Sequence, residues 1–238
     1  FIHKAFIKEG KIKTGDIIKM TVEKEKRAAI AIHHSSTHLA HAALREVLGD
    51  HVQQKGSLLD ENKLRFDFSH DKPLTKDQIS AIEAIVNKEA LNNSEVKTEL
   101  MRLDDALKSG AMALFGEKYD DDVRVLTMGD NSYSVELCGG THVKRTGDIG
   151  FFIIINQSSV ASGIRRIEAV AGMKAIEHIE KIRQINLSLQ TSLTSPLKIC
   201  LRRYKISLKK TKSLKKIKTK LLRNLQFFQK HLKSMISN

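Results

Sequence analysis

Two short segments, far apart in the chain, place metal-ligand side chains at the same spacing. The first is His34-Ser-Ser-Thr-His38 and the second is Cys138-Gly-Gly-Thr-His142. Residues i and i+4 of a helix lie on one face, so His34 and His38 can direct two imidazoles at one point. A Gly-Gly turn lets the backbone fold so that Cys138 and His142 also face the same way. Three histidines and one cysteine form a tetrahedral set that suits zinc.

The first segment alone has a simpler interpretation. An amphipathic helix with a solvated polar face would place four residues on that face: His34, His38, His41 and Arg45. For this segment by itself we favour the simpler interpretation. The second segment, in a chain with only two cysteines, reverses that preference. His33 and His41 are surplus histidines and are not assigned as ligands.

Composition restricts the class of protein. The 238 residues suffice for one or two domains with a hydrophobic core, and they contain neither an apolar run of membrane length nor a signal-peptide pattern. Two cysteines do not make a disulfide framework, which favours a reducing compartment and therefore the cytoplasm. The chain starts at Phe1, so we expect it to be a piece of a longer protein.

The net charge of +14 would ordinarily indicate a nucleic-acid partner. However, residues 196–238 carry 14 Lys and Arg and no Asp or Glu, whereas the rest of the chain has equal numbers of acidic and basic residues. The basicity therefore belongs to the tail, and the overall charge is no argument for a nucleic-acid site in the metal-bearing body.

Hydrophobic periodicity predicts an α+β fold with mainly antiparallel pairing. Residues 1–30, including the run 16–22, are predicted as strands of a small sheet or β-barrel. Helices are expected at about 35–48, from a capping box at Thr75 to Gln78 onward, at 104–108, and at 173–192. The remaining predicted strands are 52–59, 64–68, 96–101, 123–128, 133–137, 147–155 and 163–170.

Several sequence motifs resemble those of the alanyl-tRNA synthetase family. The segment His34-Ser-Ser-Thr-His-Leu-Ala-His-Ala-Ala-Leu44 is similar to that family's HSATHLLHAAL, and Leu64-Arg-Phe-Asp-Phe-Ser-His70 to its LRFDFSH. Further matches follow in the family's order: Gln54-Lys-Gly56, Gly110 to Tyr119, Glu136-Leu-Cys-Gly-Gly-Thr-His142, Thr146 to Gly150, and Gly163 to Val170. The resemblance covers residues 1 to about 194 and is confined to the family's editing region.

The resemblance implies a domain plan. We expect a β-barrel remnant at 1–30, a zinc-containing editing domain at 31–171, the start of a helical segment at 172–194, and a basic tail at 195–238. The editing fold would be of the type called the second additional domain of threonyl- and alanyl-tRNA synthetases. The aminoacylation domain is missing from this sequence, so ATP is expected only for that domain of the parent enzyme.

The resemblance also implies a function. The parent enzyme joins alanine to tRNA(Ala) in protein biosynthesis, and this part would hydrolyse the ester when serine or glycine is attached by mistake. Zinc would be held by His34, His38, Cys138 and His142. Three alternatives stay open: a zinc module that only binds tRNA, a free-standing editing protein, and a degraded gene product. No membrane partner is expected, and the oligomeric state is open.

Four further residues are candidates for the site. Thr37 is a candidate for sensing the serine hydroxyl, against the alternative that it bonds its own helix carbonyl. Gln54 could orient substrate or water, or be a solvated turn residue. Arg165 and Arg166 fall on opposite faces of one strand, so at most one can contact tRNA phosphate, and a surface salt bridge is the alternative.

Residues 195–238 do not resemble the family, which usually continues with a helix of mixed charge. The lysine-rich run could be a basic arm for RNA phosphates. We favour another explanation, a reading-frame shift near codon 198, because one permitted codon choice read in a neighbouring frame encodes Asp-Leu-Pro-Lys-Lys-Ile-Gln. A frame shift would also explain the sudden loss of acidic residues, whose codons all begin with G.

Overall fold

The computed structural model describes residues 4–113, 119–208, 224–226 and 229. Its helices are α1 (Lys24–Leu48), α2 (Lys76–Leu91), α3 (Leu103–Lys108) and α4 (Met173–Leu208). Its strands are β1 (Gln54–Leu59), β2 (Leu64–Ser69), β3 (Lys97–Arg102), β4 (Asp122–Met128), β5 (Ser134–Leu137), β6 (Phe152–Ala161) and β7 (Ile164–Ala171). Short 3-10 segments form at Asp130–Ser132 and Thr146–Ile149.

The strands form two antiparallel sheets. One has the order β1-β2-β7-β6 and the other the order β3-β4-β5. Helices and antiparallel sheets alternate without parallel crossovers among these strands, so the predicted α+β class is confirmed. The chain divides into two compact units, Phe1–His178 and Ile179–Asn238, and both sheets belong to the first.

The main core lies between α1, α2 and the four-stranded sheet. Leu39 and Leu44 of α1, Ile82 of α2 and Phe66 and Phe68 of β2 are fully buried there. Strand β2 alternates as predicted, with one addition: Asp67 on the opposite face is also buried, at 7% exposure. The predicted capping box is confirmed, because Thr75 and Gln78 each bond the other's backbone N–H at the start of α2.

The prediction of strands before residue 30 is wrong for the described residues. Residues 4–23 form no strand, and all are exposed. An isolated strand is not stable without a partner to pair with. Helix α1 begins at Lys24 rather than near Ser35, because the segment from Lys24 to Ala31 is rich in strong helix formers. The small barrel is thus not part of the described fold.

Two other boundaries differ from expectation. Strand β6 starts at Phe152 rather than at 147, because Thr146–Ile149 turn as a 3-10 segment that ends at Gly150 with a φ of 68°. Helix α4 continues to Leu208, past its predicted end near 192. Most of the predicted basic tail beyond Leu208 lies outside the described residues. Within the described part, no helix is both long and apolar enough to cross a membrane.

Candidate metal centre

The four predicted ligands meet at one point. Helix α1 presents His34 and His38 on one face, and Cys138 follows directly after β5, with His142 beyond the Gly-Gly turn. The ligand atoms of these four residues all lie within 4.8 Å of one another. The structure therefore brings the two distant segments together as the sequence predicted.

The spacing of these atoms suits zinc. Cys138 Sγ lies 3.5 Å from His34 Nε2 and 3.3 Å from His142 Nε2. Tetrahedral zinc with bonds of about 2.0–2.3 Å separates a sulfur and a nitrogen ligand by about 3.6 Å. The imidazole rings pack around the same centre, with ring centroids of His34 and His142 4.3 Å apart.

Second partners fix the orientation of two of the rings. His38 Nδ1 is 2.7 Å from Glu136 Oε2, and His142 Nδ1 is 3.4 Å from Ser35 Oγ. These contacts leave the Nε2 atoms to face the centre, as in the carboxylate–histidine–zinc arrangement. Nε2 of His38 is buried and has no hydrogen-bond partner, which is costly unless something binds there. The donor set and this orphaned nitrogen both fit a metal ion.

Glu136 holds two histidines at once. Its Oε1 lies 3.1 Å from His41 Nδ1 and 3.4 Å from Ser134 Oγ, while Oε2 bonds His38. Glu136 is only 3% exposed. Burial opposes ionisation of both partners, but their mutual attraction dominates, so the pKa of Glu136 is lowered and the pKa of His38 is raised. Without a metal, the two form a buried ion pair.

The environment of Cys138 favours the thiolate. Burial alone would raise the pKa of this thiol, but hydrogen bonds from His142 and His34 and the charge of the nearby His38 outweigh it and lower the pKa to about 3. Burial in turn lowers the pKa of His142, so its ring favours the neutral form. A thiolate and neutral imidazoles are the forms that bind metal.

The turn between Cys138 and His142 is fitted closely to α1. A Cβ atom on Gly140 would lie 2.1 Å from Cε1 of His34, whereas one on Gly139 would meet nothing within 4 Å. The Arg124 guanidinium on β4 donates to the carbonyls of Gly139 (3.3 Å) and Gly140 (3.0 Å). His38 is buried, while His34, Cys138 and His142 are half-buried, so three of the four ligand residues are partly accessible to solvent.

Thr37 and Gln54, the predicted substrate-contacting residues, form no hydrogen bond to the four candidate ligands within the described structure. The Thr37 hydroxyl donates to the carbonyl of His33 at 2.8 Å, the helix bond that was the alternative to substrate sensing. Gln54 begins β1 and donates to Ser57 Oγ at 3.3 Å. Neither contact tests a role in catalysis, so both roles stay predictions.

The two arginines differ as the strand geometry requires. The Arg166 guanidinium donates twice to the Asp67 carboxylate, at 2.6 and 2.7 Å, across the β2–β7 pair. Arg165 donates to Gln157 Oε1 at 3.3 Å, and its Nε is buried without a partner. The salt-bridge alternative therefore describes Arg166 in this structure.

Sequence reasoning missed Glu136, Ser35 and Arg124 as supports of the centre. One signal was available for Glu136: on a strand, residues two apart share a face, so Glu136 lies on the side toward which the chain delivers Cys138. Ser35 gave no such signal, because its bonds to His142 and to the backbone N–H of Val143 cross between distant segments.

Comparisons with known proteins show what this chain is similar to. Residues 123–168 match the family described as threonyl and alanyl tRNA synthetase second additional domain. Alanine–tRNA ligase of Methylococcus capsulatus is 53% identical over 184 residues, which are 77% of this chain and 21% of that protein. The chain is homologous to part of alanine–tRNA ligase.

Other relatives agree. Alanine–tRNA ligase of Cupriavidus necator is 56% identical over 180 residues, and that of Nitrosospira multiformis is 54% identical over 181. In both cases the match covers 76% of this chain. The chain spans about a fifth of the length of the curated relatives that it matches. The match to the second additional domain of tRNA synthetases, together with these relatives, supports an editing-related role.

Proposed function

We propose that this chain hydrolyses the ester that links serine or glycine to tRNA(Ala), in the cytoplasm. The observation that carries the proposal is the partly accessible cluster of His34, His38, Cys138 and His142, in a chain homologous to alanine–tRNA ligase. The ligase reaction itself, with its ATP, is proposed only for a complete protein like the relatives. Ester hydrolysis requires no more than a positioned substrate and a water.

Zinc is the metal proposed for the four ligands. When bound, it supplies a Lewis acid that can polarise an ester or activate water. We favour a positioning role, because four protein ligands leave no open position unless one ligand is loose or the coordination expands. Glu136 and Ser35 keep the rings of His38 and His142 oriented, which is what the chain itself contributes to the site.

Thr37 and Gln54 are the proposed substrate-facing residues. The Thr37 hydroxyl donates a hydrogen bond to the His33 carbonyl. Its oxygen still has lone pairs that can accept a hydrogen bond from the hydroxyl of a serine substrate. A pocket that hydrogen-bonds a hydroxyl rejects analogues that lack one. Thr37→Val should therefore reduce hydrolysis of Ser-tRNA(Ala) more than that of Gly-tRNA(Ala). Equal rates for wild type and variant with both substrates would remove Thr37 from the site.

The deciding experiment measures zinc content and deacylation of Ser-, Gly- and Ala-tRNA(Ala) by this chain alone. We expect hydrolysis of the first two, little hydrolysis of the third, and loss of activity in His38→Ala and Cys138→Ala. Full activity of zinc-free chain would contradict the metal's role. Hydrolysis of mischarged tRNA by this chain alone would also support the alternative that it is a free-standing editing protein.

A zinc module that only binds tRNA is the second candidate. The four-ligand set favours it, because closed four-coordinate zinc sites are usually structural. The same assay separates the candidates: a chain that holds zinc and binds Ser-tRNA(Ala) without releasing serine is a binding module. A chain that neither binds zinc nor tRNA would be the degraded product.

A further inference from the structure

A cavity of about 410 Å³ adjoins the metal centre on the N-terminal side. It lies between the first turns of α1 and the segment 141–148, and His142 is part of its wall. The volume falls within the range of small-ligand sites.

The helix face that lines this cavity is the face that carries the metal ligands. Residues 24, 27, 28 and 31 of the wall follow the spacing i, i+3, i+4, i+7, and the same stripe continues to His34 and His38. At 1.5 Å per residue, Lys24 and Arg27 lie roughly 10–15 Å along the helix from His34. The cavity and the centre therefore form one continuous surface.

The chemistry of the wall is cationic at the rim and apolar inside. Lys24, Arg27 and Lys144 are exposed at the rim, and none of them forms an ion pair within the described part of the chain. The one carboxylate of the wall, Asp148, accepts a bond from the backbone N–H of Arg145. Ala28, Ala31 and Val143 contribute the apolar surface.

We propose that this cavity binds the single-stranded 3′ end of the tRNA, next to the nucleotide that carries the amino acid. Phosphates pair with Lys24, Arg27 and Lys144, and a base covers the apolar wall. A cationic groove that follows the backbone is the general means of binding single-stranded nucleic acid. In this cavity the base would contact aliphatic side chains instead of the aromatic ones on which bases usually stack. The proposal deepens the proposed function, and it rests on the chain acting on an ester at a tRNA end.

The test is RNA binding by the full chain, with zinc bound. The probe is a fluorescent single-stranded RNA oligonucleotide ending in CCA, titrated by anisotropy at several salt concentrations. For the triple variant Lys24→Ala, Arg27→Ala, Lys144→Ala we expect at least tenfold weaker binding. The slope of log affinity against log salt should fall by about 2, because each single-strand phosphate contact contributes about 0.7.

The matched control removes three other exposed lysines: Lys72→Ala, Lys76→Ala and Lys88→Ala. It loses the same net charge, and it keeps residues 4–23 and the basic tail, as the test variant does. None of these three lies in the cavity wall or the ligand set. A second variant, Ala28→Glu, keeps all cations but puts a negative charge on an exposed wall residue, and should also weaken binding.

Equal affinity and salt slope for the cavity triple and the control triple would overturn the proposal. Weaker binding by Ala28→Glu together with the cavity triple supports it, and unchanged binding by Ala28→Glu counts against it. Deacylation of Ser-tRNA(Ala) by the wild type is scored separately. If the wild type hydrolyses Ser-tRNA(Ala) but the cavity variants bind RNA normally, the proposed function stands and the cavity is not the RNA site. If RNA binding depends on the cavity but no hydrolysis occurs, the cavity is an RNA site and the proposed hydrolase activity is contradicted.

Discussion

Gly140 shows how a single residue determines whether the two halves of the centre can meet. Its backbone does not require glycine, since it is not among the glycines with positive φ. What requires glycine is the approach of His34, whose ring occupies the space of a Cβ. The sequence predicted that Cys138 and His142 would face the same way, and their ligand atoms do lie within 4.8 Å of each other. It could not show that the turn also touches α1, because that contact joins distant segments.

Gly140→Ala should lower zinc affinity by at least about tenfold, the size seen when the supports of a metal ligand are lost. The added methyl group would displace the His34 ring from the centre. Gly139→Ala is the matched control, since its Cβ would meet nothing within 4 Å. Competition with a chromophoric chelator measures both. Equal affinities for the two variants would show that His34 is not held where the structure places it.

Glu136 should act on the metal only through His38. Glu136→Ala is expected to weaken zinc binding about 10–100-fold, and Glu136→Gln less, because an amide oxygen can still accept from His38 Nδ1. The visible spectrum of the cobalt-substituted chain should shift in Glu136→Ala, which reports ligand geometry directly. Glu89→Gln is the matched control, a similarly buried carboxylate that bonds the backbone N–H of Asp130 instead. Unchanged affinity and spectrum in Glu136→Ala would refute the positioning role.

Cys138 should react as a thiolate at acidic pH when zinc is removed. Its pKa is lower in the folded chain than the usual value near 8.5, so its ionisation stabilises the fold at neutral and alkaline pH. That contribution is lost as the pH falls toward about 3. Alkylation by iodoacetamide, with peptide mapping of Cys138, should stay appreciable at about pH 5.

Zinc should suppress this alkylation, and His142→Ala should move its midpoint to higher pH, because the hydrogen bond from His142 to Cys138 is lost. Circular dichroism of the zinc-free chain establishes that the fold persists during the measurement. A midpoint between pH 8 and 9 in folded, zinc-free chain would contradict the described environment of Cys138.

At the scale of elements, the sequence predicted periodic helices and strands, but not which strands or side chains they would pair with. Strand β2 was predicted nearly to its boundaries and helix α2 at its start, because alternation and the capping box are local signals. The N-terminal strand prediction failed because strand propensity in 16–22 has no partner strand within the described residues. The same limit applies to Arg166: the sequence showed that it and Arg165 occupy opposite faces of a strand, but not that Asp67 pairs with Arg166.

The Arg166–Asp67 pair should stabilise β2 against β7 rather than bind tRNA. Arg166→Ala and Asp67→Ala should each lower the denaturant midpoint, and the double variant should lose less than the sum, because both single changes break the same two hydrogen bonds. RNA affinity and its salt slope should be unchanged in Arg166→Ala. Additive midpoints would contradict the coupling of Arg166 with Asp67, and a reduced salt slope would place Arg166 in the tRNA interface.

At the scale of the whole molecule, charge separates the chain into two parts. The metal centre, both sheets and the cavity belong to a body with balanced charge, whereas residues 196–238 are purely basic. The matches to the relatives above extend over 180 to 184 residues, so none of them covers the whole chain. The function proposed for the body therefore does not depend on an account of the tail.

The tail carries the last prediction. We expect the coding DNA to hold an insertion or deletion of one base near codon 198, and the restored frame to encode a charge-balanced helical segment. The prediction rests on composition: residues 196–238 hold 14 cations and no acid, whereas helices of mixed charge are supported by i,i+4 ion pairs. Sequencing the genomic DNA and the transcript across this region decides. A clean reading frame, with stop codons in the neighbouring frames, would show that the tail is genuine. In that case deletion of residues 196–238 should weaken RNA binding and reduce the slope of log affinity against log salt, as expected for a basic arm.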